Sequence, residues 1–177
     1  MNLIFRMTWT FLCAWLGLRF GPPVGLLDEA RYNFRCLPTD IDFNLHLTNS
    51  RYSSFMDIAR IAMMIRNGAW GRFRAAGMLP VLGSMAMKFR RGVKPFERFA
   101  VTSRTIGWDE KWIYLEHKMM VGEHLAAVAV MKAAFLGSAG RRIATDELIK
   151  VIGYDGPVPA PLAVIEASKA LNDALKA

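Results

Sequence analysis

Asp40-Ile41-Asp42-Phe43-Asn44-Leu45-His46-Leu47-Thr48-Asn49-Ser50-Arg51-Tyr52 is the stretch on which the reading of this chain turns. Polar residues alternate here with apolar ones, so an extended backbone puts Asp40, Asp42, Asn44 and His46 on one side. Thr48 or Asn49 then suits a helix N-cap. Tyr52, Phe55, Met56, Ala59, Ala62, Met63 and Ile65 follow at helical spacing, and Ile58, Ile61 and Met64 fill the other faces. The spacing predicts a buried helix, closed by Gly68 at the position just past its end. The first turn of a helix has N–H groups without internal partners and a partial positive charge. A carboxylate, an amide, an imidazole and such donors together have the makings of a hydrolytic site.

Outward from this stretch the pattern is mostly β. Residues 30–36 alternate with period two, which predicts a half-buried strand ended by Pro38. A shorter helix is expected over 70–76. Strands are expected near 82–89 and over 99–108, 112–120 and 125–136, with turns at Asp109-Glu110-Lys111 and at Gly122. A short helix near 146–152, a Pro-rich spacer and a last helix to about Lys176 complete the chain. An apolar helix followed by antiparallel strands is satisfied by a sheet that curls around that helix. The expected divisions are an apolar N-terminal helical segment (1–24), a central domain (25–153) and a spacer with C-terminal helix (154–177).

The run Asp-x-Asp-x-Asn-x-His-x-x-Asn-x-x-Tyr over 40–52 resembles the active-site loop of hot-dog-fold thioesterases. It is similar to that of plant acyl-carrier-protein thioesterases and, in the spacing from Asp42 to Tyr52, to that of 4-hydroxybenzoyl-CoA thioesterases. Asp57-Ile58-Ala59-Arg60 resembles the acidic-x-Ala-Arg run of their helices. The detailed likeness covers about 38–60, and the strand order extends it loosely to 30–153. The resemblance implies an α+β hot-dog fold, a curved antiparallel sheet around one central helix, with helical appendages at both ends. It implies hydrolysis of a thioester on coenzyme A or an acyl carrier protein. Asp42 would be base or nucleophile, with Asn44 and His46 assisting. Amides near Arg51 and Tyr52 would take the oxyanion. It also implies a homodimer or a dimer of dimers, and no cofactor or metal. This chain departs from the plant pattern in having no downstream Cys or Glu that aligns with a further catalytic residue. It departs from the hydroxybenzoyl pattern in having no Gly two or three residues after Asp42. A hot-dog protein that binds an acyl chain without hydrolysing it is the alternative; the intact Asp-x-Asn-x-His run favours hydrolysis.

Other residues carry plainer readings. Asp40 is expected to brace the loop. His117 and His124 stand in strand and turn context as structural or exposed residues, and most of Met56, Met63, Met64, Met78, Met85 and Met87 as core, some lining an acyl channel. Lys88, Arg90, Arg91, Lys94 and Arg98 cluster between two strands. Lys88, Arg90 and Arg91 are candidates to bind the phosphates of coenzyme A or an acidic carrier, along with Arg51 and Tyr52 on the helix. The net charge of +8 among 177 residues fits such polyanions, whereas an aromatic-plus-basic nucleic-acid motif is missing. No Walker loop, dinucleotide fingerprint, GxSxG elbow or HExxH is found. Cys13 and Cys36 read as reduced thiols of a cytosolic protein. Apolar residues make up 53% of the chain, more than one core needs. From Met1 to Leu18 the only charge is Arg6, over a helix of roughly 27 Å. No small-residue cleavage site follows it. Such a segment is expected to pack on protein or to lie on a membrane.

Overall fold

The computed structural model describes residues 2–175. Helix α1 (Asn2–Phe20) leads to strand β1 (Ala30–Arg35) and a 3-10 turn at Pro38–Asp40. Helix α2 (Asn49–Arg66) and the short α3 (Ala69–Ala75) follow. Four strands come next: β2 (Leu79–Phe89), β3 (Arg98–Trp108), β4 (Ile113–Val121) and β5 (His124–Leu136). A two-residue strand β6 (Arg142–Ile143) precedes helices α4 (Thr145–Ile152) and α5 (Ala163–Ala174). The sheet is antiparallel in the order β1-β3-β4-β5-β2, with β6 added to β5.

The expected elements form, with boundaries shifted by a few residues. The largest shift is in β2, which begins at Leu79 rather than 82 because the whole of Leu79–Phe89 pairs with β5 around one irregularity at Leu82/Ser84. Gly68 adopts φ +77, the left-handed conformation expected just past the end of α2. The last helix ends at Ala174, and Lys176 lies outside the described residues.

Helix α2 is apolar on several faces because two layers cover it. On one side lies the sheet, where Phe34, Phe55 and Phe99 stack as a triad with ring centroids 5.0–5.7 Å apart. On another side lies α1, which contributes Leu3, Met7 and Phe11 to the same core. Tyr52, Phe55, Met56, Ile58, Ala59, Ala62, Met63 and Met64 are all buried as a result. Toward the C-terminal end of α2 a second cluster joins Met63, Phe73, Phe135 and Ile152. A third cluster of Ile106, Tyr114 and Val130 takes in Ile165 of α5. The sheet has two open edges, β1 and β2. The β2 edge is eleven residues long and leaves Leu79, Leu82 and Phe89 exposed.

Candidate active site

The loop 40–48 is not extended. Ile41 and Leu47 form an antiparallel bridge, and the chain between them reverses in a tight turn. The Asp42 N–H donates to the His46 carbonyl at 3.0 Å, and the Leu45 N–H donates to the Asp42 carbonyl at 3.1 Å. Leu45 takes φ +56 to allow this. Asp42 also accepts the Asn44 N–H on Oδ1 at 2.9 Å, the local side-chain bond that makes Asp a turn former. The expectation that Asp40, Asp42, Asn44 and His46 share one side is therefore corrected. Local bonds to the backbone outcompete the extended form.

The consequence is that the two aspartates separate. Asp40 turns inward and is 1% exposed. Its Oδ2 is 2.9 Å from an Arg6 nitrogen of α1 and accepts the Leu37 N–H at 2.9 Å. Its Oδ1 lies 3.6 Å from Arg51 Nε. Asp40 thus ties α1, the loop and α2 together, the bracing role expected of it. Asp42 is half-buried, and its Oδ2 has no partner among the described residues.

Asn44 is exposed at the tip of the turn, between Phe43 and Leu45, which are 92% and 63% exposed. His46 is half-buried. Its ring lies against Gly92, where an added Cβ would come within 2.5 Å of the imidazole. Only glycine fits that close approach. The turn thus gathers Asp42, Asn44 and His46 within five residues but forms no hydrogen bond between their side chains.

Thr48 occupies the N-cap of α2 without a side-chain bond to the helix. The Arg51 N–H donates back to the Thr48 carbonyl at 2.9 Å, so the free donors of the first turn lie at Asn49 and Ser50. The Arg51 guanidinium is engaged by Asp40 and by the Thr39 carbonyl at 3.5 Å. Tyr52 is buried, stands edge-on to Phe89 with centroids 5.0 Å apart, and donates its hydroxyl to the Arg91 carbonyl at 3.3 Å. Burial raises its phenol pKa.

The basic cluster divides. Arg91 forms an ion pair with Glu97 at 2.5 Å, and the Lys94 N–H donates to the other Glu97 oxygen. Lys88 and Arg90 are exposed and carry no ion pair among the described residues. Lys94 and Arg98 are likewise exposed and without an ion pair among the described residues, so of the cluster only Arg91 is engaged through its side chain. His117 is wholly buried on β4. It shares a 2.7 Å hydrogen bond with Ser103, and burial, with Arg60 nearby, pushes its pKa down to about 3. It is a neutral interior group, matching its structural reading. Burial, then the nearby Asp40, pushes the Cys36 thiol up to about 11, which favours the protonated thiol. Among the described residues no cluster of His, Cys, Asp and Glu could hold a metal.

An apolar cleft opens farther along α2, lined by Met63, Met64, Phe73, Val81, Leu115 and Phe135. Two of the methionines read as core or channel residues therefore face a cleft.

Sequence reasoning missed three partners of the site: Arg6 against Asp40, Glu97 against Arg91, and Gly92 beneath His46. Arg6 is far from Asp40 in sequence and leaves no local signal, whereas Glu97 stands only six residues from Arg91 and its charge was within local reach. Gly92 follows Arg90-Arg91 in an ordinary turn setting, and only the ring above it explains it.

The polar turn, α2 and the strands from β2 to β6 fall together within the span of one known family. The model of the thioesterase-like superfamily aligns with residues 36–167. The chain belongs to that superfamily. Protein THEM6 of Xenopus laevis is 30% identical over 131 residues, covering 72% of this chain and 63% of that protein. Thioesterase lcsJ of Purpureocillium lilacinum is 33% identical over 97 residues, covering 44% and 31%. The chain spans less than two thirds of the length of these curated relatives. Among solved structures, a mutant 4-hydroxybenzoyl-CoA thioesterase complexed with 4-hydroxybenzoyl-CoA superposes with a TM-score of 0.62. The identity is 14%, and the superposition covers 70% of this chain and 98% of that one. The hot-dog fold of this thioesterase-like protein follows from that likeness.

Proposed function

We propose that this protein hydrolyses acyl-coenzyme A thioesters, with Asp42 as the general base. The observation that carries the reading is the contrast within the loop. Of the loop's two carboxylates only Asp42 has an oxygen free, and the loop that carries it runs directly into the first turn of α2, where Thr48 makes no side-chain cap bond. In this reading Asp42 takes a proton from water as the oxygen attacks the thioester carbon. The developing oxyanion is received by the amides of Asn49 and Ser50. Collapse breaks the C–S bond, and the thiolate leaves with the proton, giving a free acid and a thiol. The Asn44 N–H holds Asp42 in place, and His46, packed on Gly92, assists by sharing the proton. Lys88 and Arg90 would meet the phosphates of coenzyme A.

A dimer fits this chemistry. The β2 edge is long, unpaired and apolar, a pairing liability for a monomer. Phe43 and Leu45 project from the loop with nothing to cover them. A twofold pairing of β2 with itself about Ser84 would set Pro80–Leu82, at the mouth of the cleft, opposite residues 86–88 of the partner. Those residues continue to the Gly92–Val93 segment that packs against the turn of the same subunit, so an acyl tail would run from one subunit's carboxylate into the other's cleft.

Release of free thiol from acyl-CoAs of graded chain length tests the proposal. Turnover is expected, with a preference for chains that fill the cleft. Tight acyl-CoA binding without thiol release at any length would replace it with a non-catalytic acyl-binding role.

A further inference from the structure

The N-terminal helix has a second apolar face that the domain does not use. Leu3, Met7, Thr10, Phe11 and Ala14 face α2 and the core. On the opposite side Phe5, Trp9, Leu12, Trp15, Leu16 and Phe20 are exposed, several by more than half: 70% for Phe5, 60% for Trp9 and 79% for Phe20. The four aromatics alone present roughly 500 Å². With the aliphatics added, this exceeds the ~300–600 Å² that a monomer's largest patch reaches.

Cations border the patch. A groove beside it has Phe5 and Trp9 on one wall and Arg35 and Arg98 on the other. Arg31 lies next to Cys13 farther along, and Arg19 sits in the last turn of α1. None of Arg19, Arg31, Arg35 and Arg98 has a carboxylate within ion-pair distance among the described residues. Arg35 and Arg98 also stand directly opposite each other in the β1–β3 ladder. Like charges so placed repel, and a shared anionic partner relieves the repulsion.

We infer that the outer face of α1 docks on an anionic lipid bilayer. The helix lies in the plane of the interface, its aromatics at the headgroup–acyl boundary and the arginines on the lipid phosphates. The helix is long and apolar enough to cross a membrane, but its inner face opposes that. A span would pull Leu3, Met7 and Phe11 out of the core and break the Arg6–Asp40 ion pair, leaving the buried Asp40 with the looser Arg51 as its one counter-charge among the described residues. A second copy on the same face is also disfavoured. The border carries these four arginines against Glu29, so self-association brings an excess of positive charge onto itself. Thus the face combines amphipathic shape with a cationic rim, the chemistry of in-plane membrane binding.

The test is co-sedimentation of the whole protein with vesicles of phosphatidylcholine alone and of phosphatidylcholine mixed with anionic phosphatidylglycerol. Binding to the anionic vesicles is expected, weakening as salt is raised. The Leu12→Glu/Trp15→Glu variant should lose it while keeping the wild-type circular dichroism melt. The Arg35→Glu/Arg98→Glu variant should weaken it by tenfold to a hundredfold, on the order of fivefold or more per cation. Asp42→Asn should bind as wild type does, which separates this inference from the hydrolysis reading. It is overturned if the protein ignores anionic vesicles. It is equally overturned if the glutamates of Leu12→Glu/Trp15→Glu dissolve an oligomer instead, or if the bound protein resists extraction by alkaline carbonate as a spanning helix does.

Discussion

Asp40 and Asp42 are two residues apart in one loop, yet they live in different environments. Asp40 is buried, charge-paired to two arginines and bonded to the Leu37 N–H. Asp42 is half-buried and keeps an oxygen free. The first carboxylate is spent on holding three elements together. The second is held only by its own turn and keeps the oxygen that the proposed reaction uses. The difference teaches that a carboxylate's role follows from its partners, and that the turn between Ile41 and Leu47 creates the difference.

The largest expected effect that sharpens the contrast is on stability. Asp40→Asn leaves the half-buried Arg6 without its counter-charge, a loss of about 3 kcal/mol, the low end for removing one partner of a buried pair. Chemical denaturation should register it as a lower midpoint with an unchanged slope. A variant as stable as wild type would break the contrast, because Asp40 would then not be the brace.

A smaller effect is expected beneath the turn. Gly92→Ala places a methyl against the His46 ring. Overpacking of this kind costs about 1–3 kcal/mol, and the ring must shift. The expected result is a lowered kcat in thiol release with the fold retained. Unaltered turnover would show that the position of His46 does not matter to the reaction.

The smallest effect is expected at the exposed cations. Reversal of Lys88 and Arg90 to Glu should raise KM severalfold at low salt and leave kcat nearly alone, the mark of lost uniform binding. The same reversal at Arg91 should instead destabilise the protein, because Arg91 already pairs with Glu97. Equal kinetic effects at all three positions would erase the distinction between free and engaged cations.

Much of the fold was legible because its signals are local. A period-two run marked β1, a stretch rich in Val, Thr, Phe and Ile marked β3, helical spacing marked α2, and Gly68 marked its end. The candidate site was legible in composition but not in shape. Alternating residues suggested one shared face, and the Asx bond of Asp42 together with Leu45 in the left-handed region bent that face into a turn. Nothing local announced Arg6 as the partner of Asp40, since the pair joins an appendage to a loop more than thirty residues away. The N-terminal segment was read as packed on protein or lying on a membrane. Its inner face packs on α2 and the core, and its outer apolar face is exposed.

The central claim is that Asp42, not Asp40, drives thioester hydrolysis. The most direct measurement is the kcat of thiol release for Asp42→Asn beside Asp40→Asn, each under conditions where it is folded. Asp42→Asn preserves size and removes the basicity, so a loss on the order of 10²–10⁴ in kcat is expected, with a melting curve close to wild type. Asp40→Asn should keep most of its turnover while losing stability. Near-normal turnover in Asp42→Asn with loss in Asp40→Asn would invert the assignment, and near-normal turnover in both would move the chemistry out of this loop.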